Sequence, residues 1–327
     1  MNGVKTAIEE CNFPVIVGHI NPDADCIGSL VVMTSALRAL GKQANLVLPV
    51  STVSRKFSFL LDIIPEVVCS EGINLDADAC DLIIVLDTAL KNRMNLPAGL
   101  SLSDIPICNI DHHLGNELFG QFNWVDSQAC AASQMLYILL KSMNIDLTPE
   151  QSTLLYAGLH CDTCGFSLQG TDKDALDVAA KLANDGANIG WVCQKLYRSL
   201  AVSEFKLMRI VYKNTEISEC GKFAWSSVTL DEFDSINASP ADIDEQVSIP
   251  RSIESVKIAA LFSEVQPNKI RINLRANDNV NLLPLAKSLG GGGHAQAAGI
   301  ITSGEMSDVI QRVKLAAVKY LCNPKTV

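Results

Sequence analysis

Long apolar runs are missing from this chain of 327 residues. None approaches the ~20 residues that a membrane-spanning helix requires. Met1 to Cys11 is polar and acidic where a secretory leader would be basic and then apolar. The expectation is a cytoplasmic protein with no membrane partner. Aromatic residues are scarce, at 6%, and 26 basic residues face 36 acidic ones. A protein that grips long nucleic acid needs stacking platforms and a basic track along the phosphates. Long duplex is therefore not the expected partner, and any nucleotide substrate should be small or held through metal ions. The acidic excess is uneven, with 12 basic against 22 acidic residues in 1–200 and 14 against 14 in 201–327. A disulfide framework is also missing, because the eleven cysteines are odd in number and scattered, as reduced thiols would be. Cys161 and Cys164 form a C-x-x-C pair without a second pair to complete a zinc site. Buried thiols and a zinc or redox pair are both open there.

What is present describes an ordinary folded protein, with 48% hydrophobic and 19% charged residues over a length suited to two domains. The first ~190 residues alternate strand-like and helix-like segments, which predicts a parallel sheet with helices on its faces. Val15 to His19, Ala44 to Val50, Leu82 to Asp87 and Ile105 to Ile110 read as strands. Ile27 to Leu40, Ala129 to Met143, Pro149 to Leu159 and Asp174 to Asn184 read as helices. A helical stretch from Trp191 to Ser218 leads into a smaller α/β region. That region has strands at Phe223 to Leu230, Ser255 to Glu264 and Lys269 to Ala276, then a helix and a glycine run. No internal repeat or low-complexity linker interrupts the chain.

Acidic and histidine residues recur where strands end. His19, Asp23 and Asp25 follow the first strand in H-I-N-P-D-A-D-C-I-G-S; Asp87 ends L-I-I-V-L-D; Asp111, His112 and His113 end I-C-N-I-D-H-H. Open α/β sheets bind ligands at that edge. Asp162, in A-G-L-H-C-D-T, ends an apolar helical pattern and could face the same crevice. Singly, each aspartate has a plain role as a turn or cap residue. Together they crowd like charges that repel unless something positive lies between them. Four or five carboxylates with two imidazoles suit two divalent ions, and Mn²⁺ fits that mixture better than zinc. A carboxylate bridging such ions would hold a hydroxide for in-line attack on phosphorus. In the second region, S-L-G-G-G-G-H-A-Q-A-A-G is open to two roles, a flexible loop or a phosphate site in which backbone N–H groups approach an anion beside His294. Arg275, ending K-I-R-I-N-L-R, favours phosphate binding.

These motifs resemble those of the DHH phosphoesterase family. H-I-N-P-D-A-D-C-I-G-S is similar to its first motif, V-L-D-T to its second, D-H-H to its third and C-D-T to its fourth. G-G-G-G-H-A-Q-A-A-G resembles the signature of the DHH-associated C-terminal domain. The resemblance implies a catalytic domain at 1–190, a helical linker at 191–205 and a substrate-binding domain at 206–327, with the active site in the interdomain cleft. It implies one ion on His19, Asp23 and Asp87 and another on Asp25, Asp87, His112 and Asp162. His113 would face the scissile phosphate, Asp111 would orient the histidines, and Arg275, Gly291, Gly292, Gly293 and His294 would clamp a phosphate or base. The size resembles the branch that hydrolyses very short oligoribonucleotides and 3′-phosphoadenosine 5′-phosphate (pAp). The family also implies a possible homodimer. Two alternatives stand beside this: a soluble phosphodiesterase for cyclic di-AMP or its linear product pApA, and a catalytically silent nucleotide-binding module. One departure is that Cys164 stands where the family's D-T-G motif has glycine, which implies a local adjustment if that position needs φ > 0.

Overall fold

In the computed structural model the described residues are 1–68, 79–96, 100, 105–168, 170–277, 280–293 and 295–322. The chain forms two compact units, Met1–Ser199 and Leu200–Val327.

The first unit runs α1 (Asn2–Glu10), β1 (Pro14–Val17), α2 (Ala24–Ala39), β2 (Asn45–Val47), α3 (Pro65–Val68), β3 (Leu82–Leu86), β4 (Ile107–Asp111), β5 (Phe122–Val125), α4 (Ala132–Ser142), α5 (Pro149–Asp162), α6 (Lys173–Asn184) and α7 (Ile189–Tyr197). Its sheet has the order β2-β1-β3-β4-β5 and every pair is parallel. β1, β3 and β4 are buried throughout, which is why they read as continuous apolar runs and not as alternation. Their side chains still divide between two faces. Val15, Val17, Ile83 and Val85 pack on one side, and Ile16, Ile84, Leu86 and Ile110 join the larger core on the other. The chain leaves β1 for β2 on one flank and returns to β3 on the other. β1 and β3 therefore flank the switch point, where loops diverge and leave a crevice.

α2 is buried along most of its length, and α5 lies against it. A Cβ on Gly28 would meet the Leu154 carbonyl oxygen at 2.6 Å, and one on Gly158 would meet Asp25 Oδ1 at 2.6 Å. The two helices approach closely because neither position carries a side chain. α5 starts at a capping box, with Thr148 and Gln151 each satisfying the other's backbone N–H, and has Pro149 at its first turn.

The second unit runs α8 (Val202–Lys213), β6 (Glu216–Ile217), β7 (Phe223–Val228), α9 (Leu230–Ser235), α10 (Ser248–Arg251), β8 (Ile258–Gln266), β9 (Lys269–Ala276), α11 (Leu283–Ser288), β10 (Gly292–Gly293), β11 (Ala297–Ser303) and α12 (Met306–Leu321). The mixed sheet has the order β10-β11-β9-β8-β7-β6, parallel only at β7–β8. One face packs on Val309, Val313 and Ala317 of α12, and the other on Leu207 and Val211 of α8.

Two segments differ from the sequence expectation. The single helical stretch at 191–218 is two helices, broken between Tyr197 and Val202 and followed by β6. The glycine run is not a free loop, since Gly292 and Gly293 pair with Gly299 and Ala298 as a sheet edge. Among the described residues no helix is long and apolar enough to cross a membrane.

Candidate metal centre

His19 leaves β1 on a short ladder to the segment before residue 96. Asn95 N donates to Gly18 O at 2.8 Å, and Ile20 N donates to Arg93 O at 3.0 Å. Asp23 caps α2, its Oδ1 accepting the N–H groups of Asp25 and Cys26, each at 3.1 Å. The N–P–D break in the sequence is thus a helix start, and it points the next carboxylate inward. Asp25 is fully buried. It accepts the N–H of Ala132 at 2.6 Å and of Ser133 at 2.8 Å, with the Ser133 hydroxyl on the same oxygen as the latter. The carboxylate therefore caps α4 from 107 residues away, where the helix dipole favours negative charge.

Asp87 follows β3 in the left-handed conformation, φ 53°, and its N–H donates to Ile110 O at 3.0 Å. It sits between imidazoles. Its Oδ2 lies 3.5 Å from His19 Nε2, and its Oδ1 lies 3.5 Å from both His112 Nε2 and His113 Nδ1. His112 Nε2 also approaches Asp162 Oδ2 at 3.2 Å and Asp25 Oδ2 at 4.0 Å. His113 Nδ1 pairs with Asp111 Oδ1 at 2.8 Å. The other oxygen of Asp111 accepts from Asn116 Nδ2 at 2.6 Å, and the same Nδ2 lies 2.8 Å from Asn109 Oδ1. Asp162 is the last residue of α5. After it Cys164, Gly165 and Phe166 are all left-handed, at φ 48°, 69° and 64°, so Cys164 does adopt the conformation glycine would favour.

These groups cannot all carry their usual charge together. Burial, followed by the charges of Asp87 and Asp162, pushes the Asp23 carboxyl up to about 6. Burial raises Asp25 and Asp162 as well. Asp87 is the exception: burial pushes it up, but the attraction of His112 and His19 outweighs this and holds it at about 2. Burial lowers His112, yet Asp162 and Asp87 carry it to about 11. The Asp111 hydrogen bond raises His113. Within this cluster His19 Nδ1, Asp87 Oδ1 and His112 Nε2 are buried without an aligned hydrogen-bond partner. Orphaned buried polar atoms of this kind are costly unless something satisfies them.

The donor set fits divalent cations. Three groups have donor atoms within 4.8 Å of one another: His19, Cys26 and Asp87; Asp87, His112 and His113; and Asp25, His112 and Asp162. The structure thus gathers His19, Asp25, Asp87, His112, His113 and Asp162, with Asp87 shared between groups. Asp23 is close enough to feel Asp87, Asp162 and His19, while one of its oxygens is committed to the helix cap. Cys26, Ser133 and Asn116 join the centre without having been singled out in the sequence. Cys26 directly follows Asp25, and Asn116 stands three residues after His113, but neither spacing carries a signal by itself.

In the second unit, Arg275 on β9 sits opposite Ala297 and donates to Leu274 O at 3.0 Å. β11 therefore separates Arg275 from Gly292 and Gly293 by one strand. Gly291 and Gly293 are required by packing, since a Cβ on either would collide with β11. His294 lies outside the described residues. Cys161 and Cys164 are free thiols, and among the described residues neither belongs to a metal-competent group.

Residues 14–159 match the DHH family, N-terminal domain, and residues 222–319 match the DHHA1 domain. The chain carries a DHH domain followed by a DHHA1 domain. It is 28% identical over 321 residues to the bifunctional oligoribonuclease and PAP phosphatase NrnA of Thermus thermophilus, covering 98% of this chain and 93% of that protein. It is 27% identical over 311 residues to the Bacillus subtilis protein of the same name, covering 93% of each. The fold is similar to the crystal structure of an exopolyphosphatase-related protein from Bacteroides fragilis, with TM-score 0.83, 24% identity and coverage of 98% and 95%. It is also similar to RecJ from Thermus thermophilus in complex with Mn²⁺, with TM-score 0.52 and 14% identity, over 98% of this chain and 55% of that one.

Proposed function

We propose that the chain is a metal-dependent phosphoesterase. It hydrolyses very short oligoribonucleotides to mononucleotides, and pAp to AMP. The observation that carries this is the buried His and Asp cluster at the β1/β3 switch point, with donor atoms that no protein group satisfies. The substrate class rests on relatives that carry the oligoribonuclease and PAP phosphatase name and align over nearly the whole chain. His19, Asp23, Asp25, Asp87, His112 and Asp162 would hold two divalent ions, most suitably Mn²⁺, as hard oxygen and imidazole donors do. Bound there, the ions polarise phosphoryl oxygens and lower the pKa of water.

The protein's own residues do the rest. Asp25 is fixed by the N-terminus of α4, and Asp87 by β3 and its bond to Ile110, so these carboxylates are pre-oriented. His113 gives Nδ1 to Asp111, which leaves Nε2 to meet the scissile phosphate, and its side chain is half exposed. Raised toward its charged form by Asp111, it stabilises charge on phosphorus or protonates the leaving oxygen. Arg275 and Gly291, Gly292 and Gly293, with His294, bind a substrate phosphate. The enzyme acts in the cytoplasm, on single strands of a few nucleotides, as a homodimer.

The test is Mn²⁺-dependent hydrolysis of a dinucleotide, a pentanucleotide, a 24-mer, pAp and cyclic di-AMP, run beside Asp87→Asn. Rapid loss of the short RNAs and pAp, abolished by the substitution, is expected. Cleavage of cyclic di-AMP alone would replace the substrate assignment, and metal binding without any cleavage would leave a silent binding module.

A further inference from the structure

The His19 end of the centre contains a donor that the four motifs do not use. Cys26 Sγ lies with a ring nitrogen of His19 and a carboxylate oxygen of Asp87, all within 4.8 Å of one another. Cys26 is fully buried in the first turn of α2. Its N–H is tied to Asp23 Oδ1 at 3.1 Å. A Cβ at residue 18 would collide with this sulfur, so Gly18 makes the space that the thiol fills. A buried thiol is ordinarily a small core residue. Cys11 fits that description, its thiol donating to Ile8 O at 3.2 Å in the helix before it, and so does Cys108 in the sheet. Neither belongs to a donor group among the described residues. The second observation is independent of sulfur: Asp87 is 2% exposed and turns Oδ2 toward His19 Nε2 at 3.5 Å, while the other ring nitrogen of His19, Nδ1, is buried without a hydrogen-bond partner. This pocket therefore has hard donors awaiting a cation with a soft donor beside them.

We infer that Cys26 Sγ is a ligand of the cation held by His19 and Asp87. That half of the centre is then a nitrogen, oxygen and sulfur site, while the half built on Asp25, His112 and Asp162 has only nitrogen and oxygen. Donors 2.0–2.3 Å from a common tetrahedral ion are roughly 3.5 Å apart. Donors within 4.8 Å of one another reach this spacing by side-chain movement of up to about 1.3 Å. As the sulfur–metal bond forms, the thiol proton leaves to solvent and no electron is transferred. The two halves differ in softness, so the Cys26 half prefers Zn²⁺, Cd²⁺ or Co²⁺ and the other half accepts Mn²⁺. The inference rests on the metal-dependent reading above and extends it to the identity of one ion.

The experiment is titration of the chelator-stripped full-length chain with Co²⁺, followed by absorption, beside Cys26→Ser and Cys26→Ala. The wild type should develop thiolate-to-cobalt charge-transfer absorption that both variants lack while their circular dichroism stays native. Cd²⁺ affinity should fall about 10–100-fold in the variants. Cobalt-edge X-ray absorption of the wild type needs no variant, and a sulfur scatterer at about 2.3 Å is expected. Co²⁺ uptake with an all-nitrogen and oxygen shell, or variants that keep the charge-transfer absorption, would overturn the Cys26 assignment and leave the metal-dependent reading intact. Failure of the wild type to take up Co²⁺ would overturn both.

Discussion

Gly158→Ala places one methyl group at the crossing of α2 and α5, directly behind the metal centre. The new Cβ would collide with the Ser133 hydroxyl and stand 2.6 Å from Asp25 Oδ1 and 2.9 Å from Asp25 Cα. A side-chain tip could swing away, but Cα is backbone in the first turn of α2, and that helix is packed along its length. Overpacking of this kind costs about 1–3 kcal/mol. Replacing a helical glycine by alanine returns about 1 kcal/mol. With backbone in the way the upper end of the cost applies, so a net loss of about 2 kcal/mol is expected. For a unit of this size that is roughly 4–8 °C in melting temperature. The displaced Asp25 also loses its alignment on α4, which should weaken cation binding at the Asp25, His112 and Asp162 donors by about 10–100-fold. Gly190→Ala in α7 is the control, because its Cβ would meet nothing within 4 Å and its φ is ordinary. It should be neutral or slightly stabilising. Calorimetric melting and Mn²⁺ titration of the three proteins decide the matter. A Gly158→Ala protein as stable as Gly190→Ala, with unchanged Mn²⁺ binding, would refute the claim that this crossing sets the position of Asp25.

Asp87→Asn should fold, because asparagine tolerates the left-handed backbone at φ 53°, yet lose about 10²–10³ or more of Mn²⁺-dependent turnover, measured on a dinucleotide. Cys164→Gly removes a side chain from φ 48° and should raise stability by up to about 1 kcal/mol after the unfolded-state entropy of glycine is subtracted, seen as a higher melting temperature. Arg275→Ala should raise KM for pAp roughly 10–150-fold with little change in kcat, the value of a charged hydrogen bond to phosphate, and steady-state kinetics will show which parameter moves. Mn²⁺ at about 100 times its Kd should stabilise the chelator-treated protein by about 2.7 kcal/mol per site, and a melting temperature that ignores Mn²⁺ would contradict the metal reading.

Much of the first unit was legible because its signals are local. Leu82 to Asp87 and Ile105 to Ile110 are short, rich in β-branched residues or leucine and bounded by turn residues, so they read as strands and the acidic and histidine residues that end them stand at the ligand-binding edge. Asp23 reads as a cap from its own neighbours, and the Thr148-Pro149 start of α5 likewise. The strands β5, β6 and β10 were not legible, being brief, nor was β11, whose Ala-Ala-Gly start has little side-chain pattern to separate it from a loop. The break between α7 and α8 was hidden because Tyr197 to Val202 continues the apolar spacing of a helix. Tertiary structure alone decided that Asp25 caps a helix more than a hundred residues away. It also decided that Cys26 reaches His19 beneath a glycine, and that Gly28 and Gly158 let two helices close on the centre. A pattern along the chain reports what each residue prefers within a turn or a strand. The order β2-β1-β3-β4-β5 and the helix crossing over it set which distant groups share a cavity, and there their charges and donors act on one another.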